Sequence, residues 1–156
     1  MRAISALFLV LIMSTGVFAQ SQRIGTFQFE KKQGTHKARV VFRTKLLARA
    51  GQRVVRVEQG QTMVDGRPAI GTDGNIPGVE IVSMRFYLDG KEIKIPARLY
   101  ADCFDPNFGK EHVTLKFGPA FRSVIVSMSG SDGAGGYGVT WTLVRSGQHH
   151  RSIDQF

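Results

Sequence analysis

Disulfide bonds are excluded within this chain, because its 156 residues include a single cysteine, Cys103. Stability must then come from packing, which a chain of this length can provide. We expect Cys103 to be buried and inert, and its acidic neighbour Asp102 to raise the pKa of the thiol. One alternative is a disulfide between two chains, and another is a Cys–His nucleophile pair, although no flanking motif supports it.

Long apolar runs are absent beyond the first residues. Residues 4–13 are apolar but too short for a stable membrane span. Arg2 precedes this run, and Val17 and Ala19 form a small-x-small pattern before Gln20. This layout is typical of a cleaved secretory signal peptide. We therefore expect residues 1–19 to be removed, leaving residues 20–156 as one exported domain, periplasmic or extracellular, without a transmembrane segment.

Acidic residues are nearly absent from the first quarter of the exported part. Ten lysines and arginines lie from Arg23 to Arg56, and Glu30 is the only acid among them. From Val57 to Phe156, ten basic residues face eleven acidic ones, so this first quarter carries most of the formal net charge of +9. Such asymmetry indicates an anionic partner, and a solvated basic face is the alternative.

Sustained helical periodicity and internal repeats are also absent, and short alternating segments are separated by turn residues. Seven or eight strands in one domain predict an all-β fold, an antiparallel sandwich or barrel. A helical turn over residues 46–50 competes with a turn at that point. The predicted strands are Ile24–Glu30, Lys37–Lys45, Arg53–Gln59, Glu80–Leu88, Lys91–Ile95, Glu111–Phe117, Ser123–Met128 and Gly138–Arg145, with residues 148–156 as a last edge strand or a frayed tail.

Two of these segments alternate clearly. In 37–45, Ala38, Val40 and Phe42 are expected to point inward and the basic residues outward. In 80–88, the predicted inward residues are Val82, Met84, Phe86 and Leu88. Asp89-Gly90 then predicts a tight hairpin turn to 91–95, because both turn positions need positive φ. The expected core includes Val40, Phe42, Met84, Phe86, Leu115, Val126 and Trp141.

The glycine-rich segment 133–138 matches the G-x-G-x-x-G pattern of dinucleotide-binding folds, but a strand pattern follows it where a helix is required. We expect a hairpin loop from Gly130 to Gly138. Its backbone amides, with Ser131 and Asp132, could bind a ligand. The sequence predicts no cofactor, no metal site and no catalytic motif.

Several segments of the second half resemble exported bacterial β-rich proteins of unknown function. They are 80–90, Ile95-Pro96, Asp105-Pro106 and 129–137, with Trp141 after them. The resemblance covers roughly the last half of the chain and consists of turns and core residues. It implies a β-rich exported domain and brings no activity, substrate or site.

The leading hypothesis is a non-enzymatic binding module that uses a basic face for an anionic polymer or lipid head groups; nucleic acid fits export poorly. One alternative is a small hydrolase whose site forms only in the fold, around Asp102, Cys103 and Asp105. A second alternative is a structural subunit of a surface assembly. The candidate ligand-binding residues are Lys37, Arg39, Arg43, Arg53, Arg56, Ser131 and Asp132.

Overall fold

The computed structural model describes residues 24–47, 54–56, 62–72, 76–130 and 136–155. These residues form eleven β-strands and no α-helix, which confirms the predicted all-β class. The strands are β1 (Gly25–Gln33), β2 (His36–Leu46), β3 (Val54–Arg56), β4 (Thr62–Val64), β5 (Arg67–Pro68), β6 (Val79–Leu88), β7 (Lys91–Lys94), β8 (Val113–Phe117), β9 (Ser123–Gly130), β10 (Tyr137–Val144) and β11 (His150–Gln155).

The strands form three antiparallel sheets in a sandwich-like domain. The first sheet has the order β1-β2-β6-β7, the second β11-β10-β9-β8, and the small third sheet β3-β4-β5. The strand number exceeds the predicted seven or eight because β4 and β5 are very short and because the tail forms the edge strand β11. The competing helical turn at 46–50 and the region around Arg53 lie largely outside the described residues.

The inner faces of the first two sheets pack against each other. Phe42 from β2 and Trp141 from β10 approach to 5.8 Å between ring centroids. The Trp141 indole N–H donates to the carbonyl oxygen of Leu99 at 2.6 Å, so the one polar atom of this buried ring is satisfied. All predicted core residues except Leu115 are at most 3% exposed. Leu115 is half-buried because β8 is an edge strand.

The turn between β6 and β7 has the predicted geometry. Asp89 and Gly90 have φ values of 52° and 81°, and Leu88 pairs directly with Lys91. A two-residue turn with positive φ at both positions matches the twist of the flanking strands. The glycine-rich segment likewise joins the paired strands β9 and β10, although residues 131–135 themselves lie outside the described part.

One strand prediction is wrong near the start of β6. Val82 is 37% exposed, whereas Ile81, expected to point outward, is 2% exposed. The register between β2 and β6 shifts here, because Arg43 pairs with Ser83 and Thr44 pairs with Ile81. Val82 is therefore the extra residue of a β-bulge, which interrupts strict alternation.

Candidate anion-binding surface

The outer face of the first sheet presents its side chains in rows, since paired residues of adjacent strands point to the same side. One row contains Arg43 of β2 between Thr26 of β1 and Ser83 of β6. It therefore combines one guanidinium with two hydroxyl groups.

The next two rows continue along β2 toward its first residue. Val41 pairs with Arg85, and Arg85 pairs with Lys94 on the far side. Arg39 pairs with Tyr87, and its guanidinium carbon lies 4.0 Å from the centre of the Tyr87 ring. This stacking holds Arg39 flat against the sheet by a cation–π interaction.

These rows surround a shallow depression with a volume of about 360 Å³. None of the described residues that line it is acidic, and three of them are arginines. The depression is lined by Thr26, Arg39, Val41, Arg43, Ser83, Arg85 and Tyr87.

The arginines of the depression differ in how their charge is compensated. Arg39 pairs across the sheet with Glu30 on one side and stacks on Tyr87 on the other. Arg43 and Arg85 have no side-chain hydrogen bond or ion pair with any residue in the described part of the chain. Two uncompensated guanidinium groups therefore sit at one end of the depression.

Lys37 makes a different contribution from the one predicted. Its Nζ lies 2.9 Å from Oε1 of Glu30, and this hydrogen bond is the main reason that the pKa of Glu30 is lowered. Lys37 shares the outer face but does not line the depression. Its charge is largely compensated by Glu30, so Arg39 and Arg43 are the predicted residues that the structure brings together.

Sequence reasoning missed Arg85. Alternation in 80–88 places it on the face opposite Met84 and Phe86, which was a usable signal. What the sequence did not show is that β6 pairs with β2, because the chain between them includes the third sheet. In that pairing Arg85 lies opposite Val41. It is therefore a diagonal neighbour of Arg39 and Arg43, which lie two residues before and after Val41 on β2.

The other candidate ligand-binding residues cannot be placed at this surface. Arg53, Ser131 and Asp132 lie outside the described residues. The backbone of Arg56 belongs to β3 and pairs with Thr62, but its side chain is not described.

The residues of the alternative hydrolase site have structural partners. Asp102 makes a two-pronged ion pair with the guanidinium of Arg151, in which Nη2 donates to Oδ2 at 2.9 Å. Asp105 accepts hydrogen bonds from the backbone N–H groups of Gly78 and Val79 at 3.1 and 2.9 Å. Both carboxylates therefore hold loops to strands.

Cys103 is completely buried and free. Burial, with a smaller contribution from the Asp102 carboxylate, raises the pKa of its thiol to about 12. The predicted effect of Asp102 is thus present but secondary. A thiol with such a pKa is almost entirely protonated at neutral pH and is a poor nucleophile.

A serine–histidine contact that the sequence did not reveal lies between the second sheet and the segment before β8. His112 Nδ1 is 2.8 Å from Ser129 Oγ, and its Nε2 is 3.4 Å from Glu111 Oε1. Hydrogen-bonded serine and histidine can form a nucleophile pair. Here the Glu111 side chain, which would orient the histidine, is three-quarters exposed. The backbone N–H of Ser129 donates to the carbonyl oxygen of His112, so this N–H is not free to bind an oxyanion. The contact therefore serves to join β9 to the segment before β8.

Within the residues that the structure describes, no group of three or more His, Cys, Asp or Glu side chains is arranged to hold a metal ion. The same residues contain no helix of the length and apolar character needed to cross a membrane.

Comparison of the chain with protein-family models, with curated proteins and with solved structures finds no match.

Proposed function

We propose that the protein is an exported binding module that holds an anionic partner on the outer face of its first sheet. The observation that carries this proposal is the pair of uncompensated arginines, Arg43 and Arg85, beside Arg39 in one depression without a described acidic lining residue. Charges of one sign in a concave surface attract ions of the other sign and increase their local concentration.

Two lysines of the same sheet, unlike Arg43 and Arg85, have glutamate partners. Lys37 and Lys45 each lie within ion-pair distance of a glutamate, Glu30 and Glu80, at 2.9 and 3.2 Å. Cations that only keep the sheet soluble need not lie close together. Arginines that share one depression without acidic partners repel one another, and a bound anion relieves this repulsion.

The proposal is tested by measuring binding of the protein to anionic liposomes and to a soluble polyanion across a salt series. We expect binding at low salt that weakens as salt rises, because screening shortens the range of charge attraction. In the triple variant R39Q/R43Q/R85Q, binding should fall to near background.

A matched variant controls for net charge. Arg98, Lys110 and Arg122 are exposed and have no side-chain partner in the described part of the chain. The variant R98Q/K110Q/R122Q removes the same number of charges elsewhere and should keep most of the binding. Equal loss in both triple variants, or no binding of the original protein at low salt, would refute the proposal.

Export is the second part of the proposal and rests on the pattern of residues 1–19. Mass spectrometry of the protein recovered from a bacterial host tests it. We expect a mature chain beginning at Gln20 in the fraction outside the cytoplasm. Recovery of the uncleaved chain from the cytoplasm would count against export while leaving the anion-binding surface to be judged on its own.

A further inference from the structure

We infer that Arg43 and Arg85 form a subsite for a phosphate or sulfate monoester, and that the group carrying the ester lies along β2 toward Tyr87. This inference rests on the proposed function, because it names the chemistry that the same depression selects. Three features of the depression support it: the position of two hydroxyls, the choice of arginine, and the difference between its two ends.

The hydroxyls flank Arg43 directly. Thr26 and Ser83 are its cross-strand neighbours on either side, at the spacing of about 5 Å that separates paired side chains on one face. Both line the depression, and neither has a side-chain partner in the described part of the chain. The row thus offers neutral donors on both sides of a cation.

Arg85 completes this end of the depression. It lies diagonally across from Arg43, about 7–8 Å away along and across the strands, within the reach of long side chains. Two guanidinium groups and two hydroxyls can then converge on one point above the sheet. A tetrahedral oxyanion has three terminal oxygens with which to accept such hydrogen bonds, whereas a carboxylate has only two.

The choice of arginine over lysine points the same way. A guanidinium presents donors in a rigid planar fork that matches phosphate oxygens in pairs, while an ammonium is a compact point charge. All cations that line the depression are arginines, although lysines are plentiful on the rest of this sheet.

The opposite end is suited to the group that carries the ester. Val41, directly opposite Arg85, forms an apolar floor in the middle row, and the stacked pair of Arg39 and Tyr87 forms a flat wall beyond it. Glu30 lies beside Arg39 and lowers the positive potential there. An uncharged carrier such as a sugar or a glycerol unit fits this end, and both soluble sugar phosphates and phosphomonoester lipid head groups have one.

The first experiment titrates the isotope-labelled protein with glycerol 3-phosphate and with succinate, a dicarboxylate of similar size and charge, by NMR. We expect the amides of β2 and β6 around the depression to shift with glycerol 3-phosphate at concentrations at least about tenfold lower than with succinate. R43Q and R85Q should each weaken glycerol 3-phosphate binding by about tenfold, the loss expected for a charge-assisted hydrogen bond. R122Q should leave it unchanged.

A charge-preserving variant separates the inference from the proposed function. R43K/R85K keeps the net charge, so it should still bind a carboxylate polyanion such as polyglutamate at low salt, but it should lose the preference for glycerol 3-phosphate. The subsite would be overturned if the protein bound glycerol 3-phosphate and succinate with equal affinity. If polyglutamate binding were still lost in R39Q/R43Q/R85Q, the proposed function would stand. Absence of binding to every anion at low salt would overturn both.

Vesicles identify the source of the ester. Phosphatidic acid carries a phosphate monoester, and phosphatidylglycerol carries only a diester of the same glycerol type. Selective binding to phosphatidic acid vesicles that R43K/R85K abolishes would assign the subsite to a lipid head group. Selective binding of soluble glycerol 3-phosphate without vesicle binding would assign it to a soluble or polymer-borne ester, and either result supports the subsite.

Thermal melts control for folding. The melting curves of all variants should coincide with that of the original protein, since Arg43 and Arg85 are at the surface.

Discussion

The ring of Tyr137 occupies the space into which a side chain at Gly130 would project, so an added Cβ at Gly130 would overlap the ring. The two residues are direct partners across the β9–β10 hairpin, and the Tyr137 hydroxyl donates to the carbonyl oxygen of Phe104 at 2.9 Å. Because Gly130 has no side chain, the ring of Tyr137 can lie where it makes this buried hydrogen bond.

The variant G130A tests this relationship. We expect it to lower the free energy of unfolding by about 1–3 kcal/mol, because overpacking forces the aromatic ring or the backbone to move. Urea unfolding measures the change. In the background of Tyr137→Leu the same substitution should cost much less, so a double-mutant cycle should show strong coupling. Additive effects would mean that the ring is not the obstacle.

The ion pair between Asp102 and Arg151 should contribute to stability. Both side chains are only 18% exposed, so Asp102→Asn leaves a half-buried guanidinium without its counter-charge. We expect a loss of about 2 kcal/mol in the free energy of unfolding. Glu30→Gln, which breaks the exposed pair with Lys37, is the matched control and should change stability little. A similar cost for the two variants would contradict the distinction between the pairs.

Cys103 should make the protein less stable at high pH. The pKa of its thiol is about 12 in the folded chain, against an ordinary value of 9.0. Below pH 9 both states hold the proton, and the contribution to stability is complete. Between pH 9 and 12 the unfolded state releases the proton first, so stability falls with rising pH, by at most about 1.4 kcal/mol per pH unit.

Unfolding curves of the protein and of C103A between pH 7 and 10.5 measure this slope as a difference, which cancels other titrating groups. We expect the original protein to lose stability more steeply above pH 9. In addition, a thiol reagent at pH 8 should label Cys103 only when denaturant is present. Rapid labelling of the native protein would show that the thiol is accessible.

Asp89 should titrate at unusually low pH. The backbone N–H of Lys37, the His36 ring and the Arg145 guanidinium all bind its carboxylate and lower its pKa to about 2. Its contribution to stability is therefore present above its ordinary pKa of 3.8 and is lost as the pH falls toward 2. NMR titration of the carboxyl carbon should show the low pKa, and Arg145→Gln should raise it. A midpoint near 3.8 in the original protein would contradict these contacts.

Local signals in the sequence sufficed for much of the fold. Alternation in 37–45 correctly assigned the inner and outer faces of β2, because a half-buried strand needs period two. Asp89-Gly90 predicted the turn, since few residue pairs accept positive φ at both positions. These features depend on neighbours in the chain and are visible without the fold.

The remainder depends on contacts between distant segments. The bulge at Val82 arises from the pairing of β6 with β2, and no property of residues 80–88 alone marks it. The same pairing adds Arg85 to the depression. Lys37 does not line the depression, and its side chain forms an ion pair with Glu30 on β1. The part of the candidate surface on β2 was therefore predictable from that strand alone, and the part on β1 and β6 required knowing which strands lie beside it.

The position of Val82 has a consequence for how this chain can change in length. Residues on both sides of it already alternate correctly with β2, because Ser83 faces Arg43 and Ile81 faces Thr44. Loss of Val82 would close the ladder into a regular one and leave each remaining side chain on its present side. Loss of Ser83 would do the same, because Val82 and Ser83 are adjacent residues that both lie on the outer side, whereas loss of any residue from 84 to 87 would exchange inside for outside over part of β6. Among homologous chains, a one-residue gap in β6 should therefore be found at the position of Val82 or Ser83.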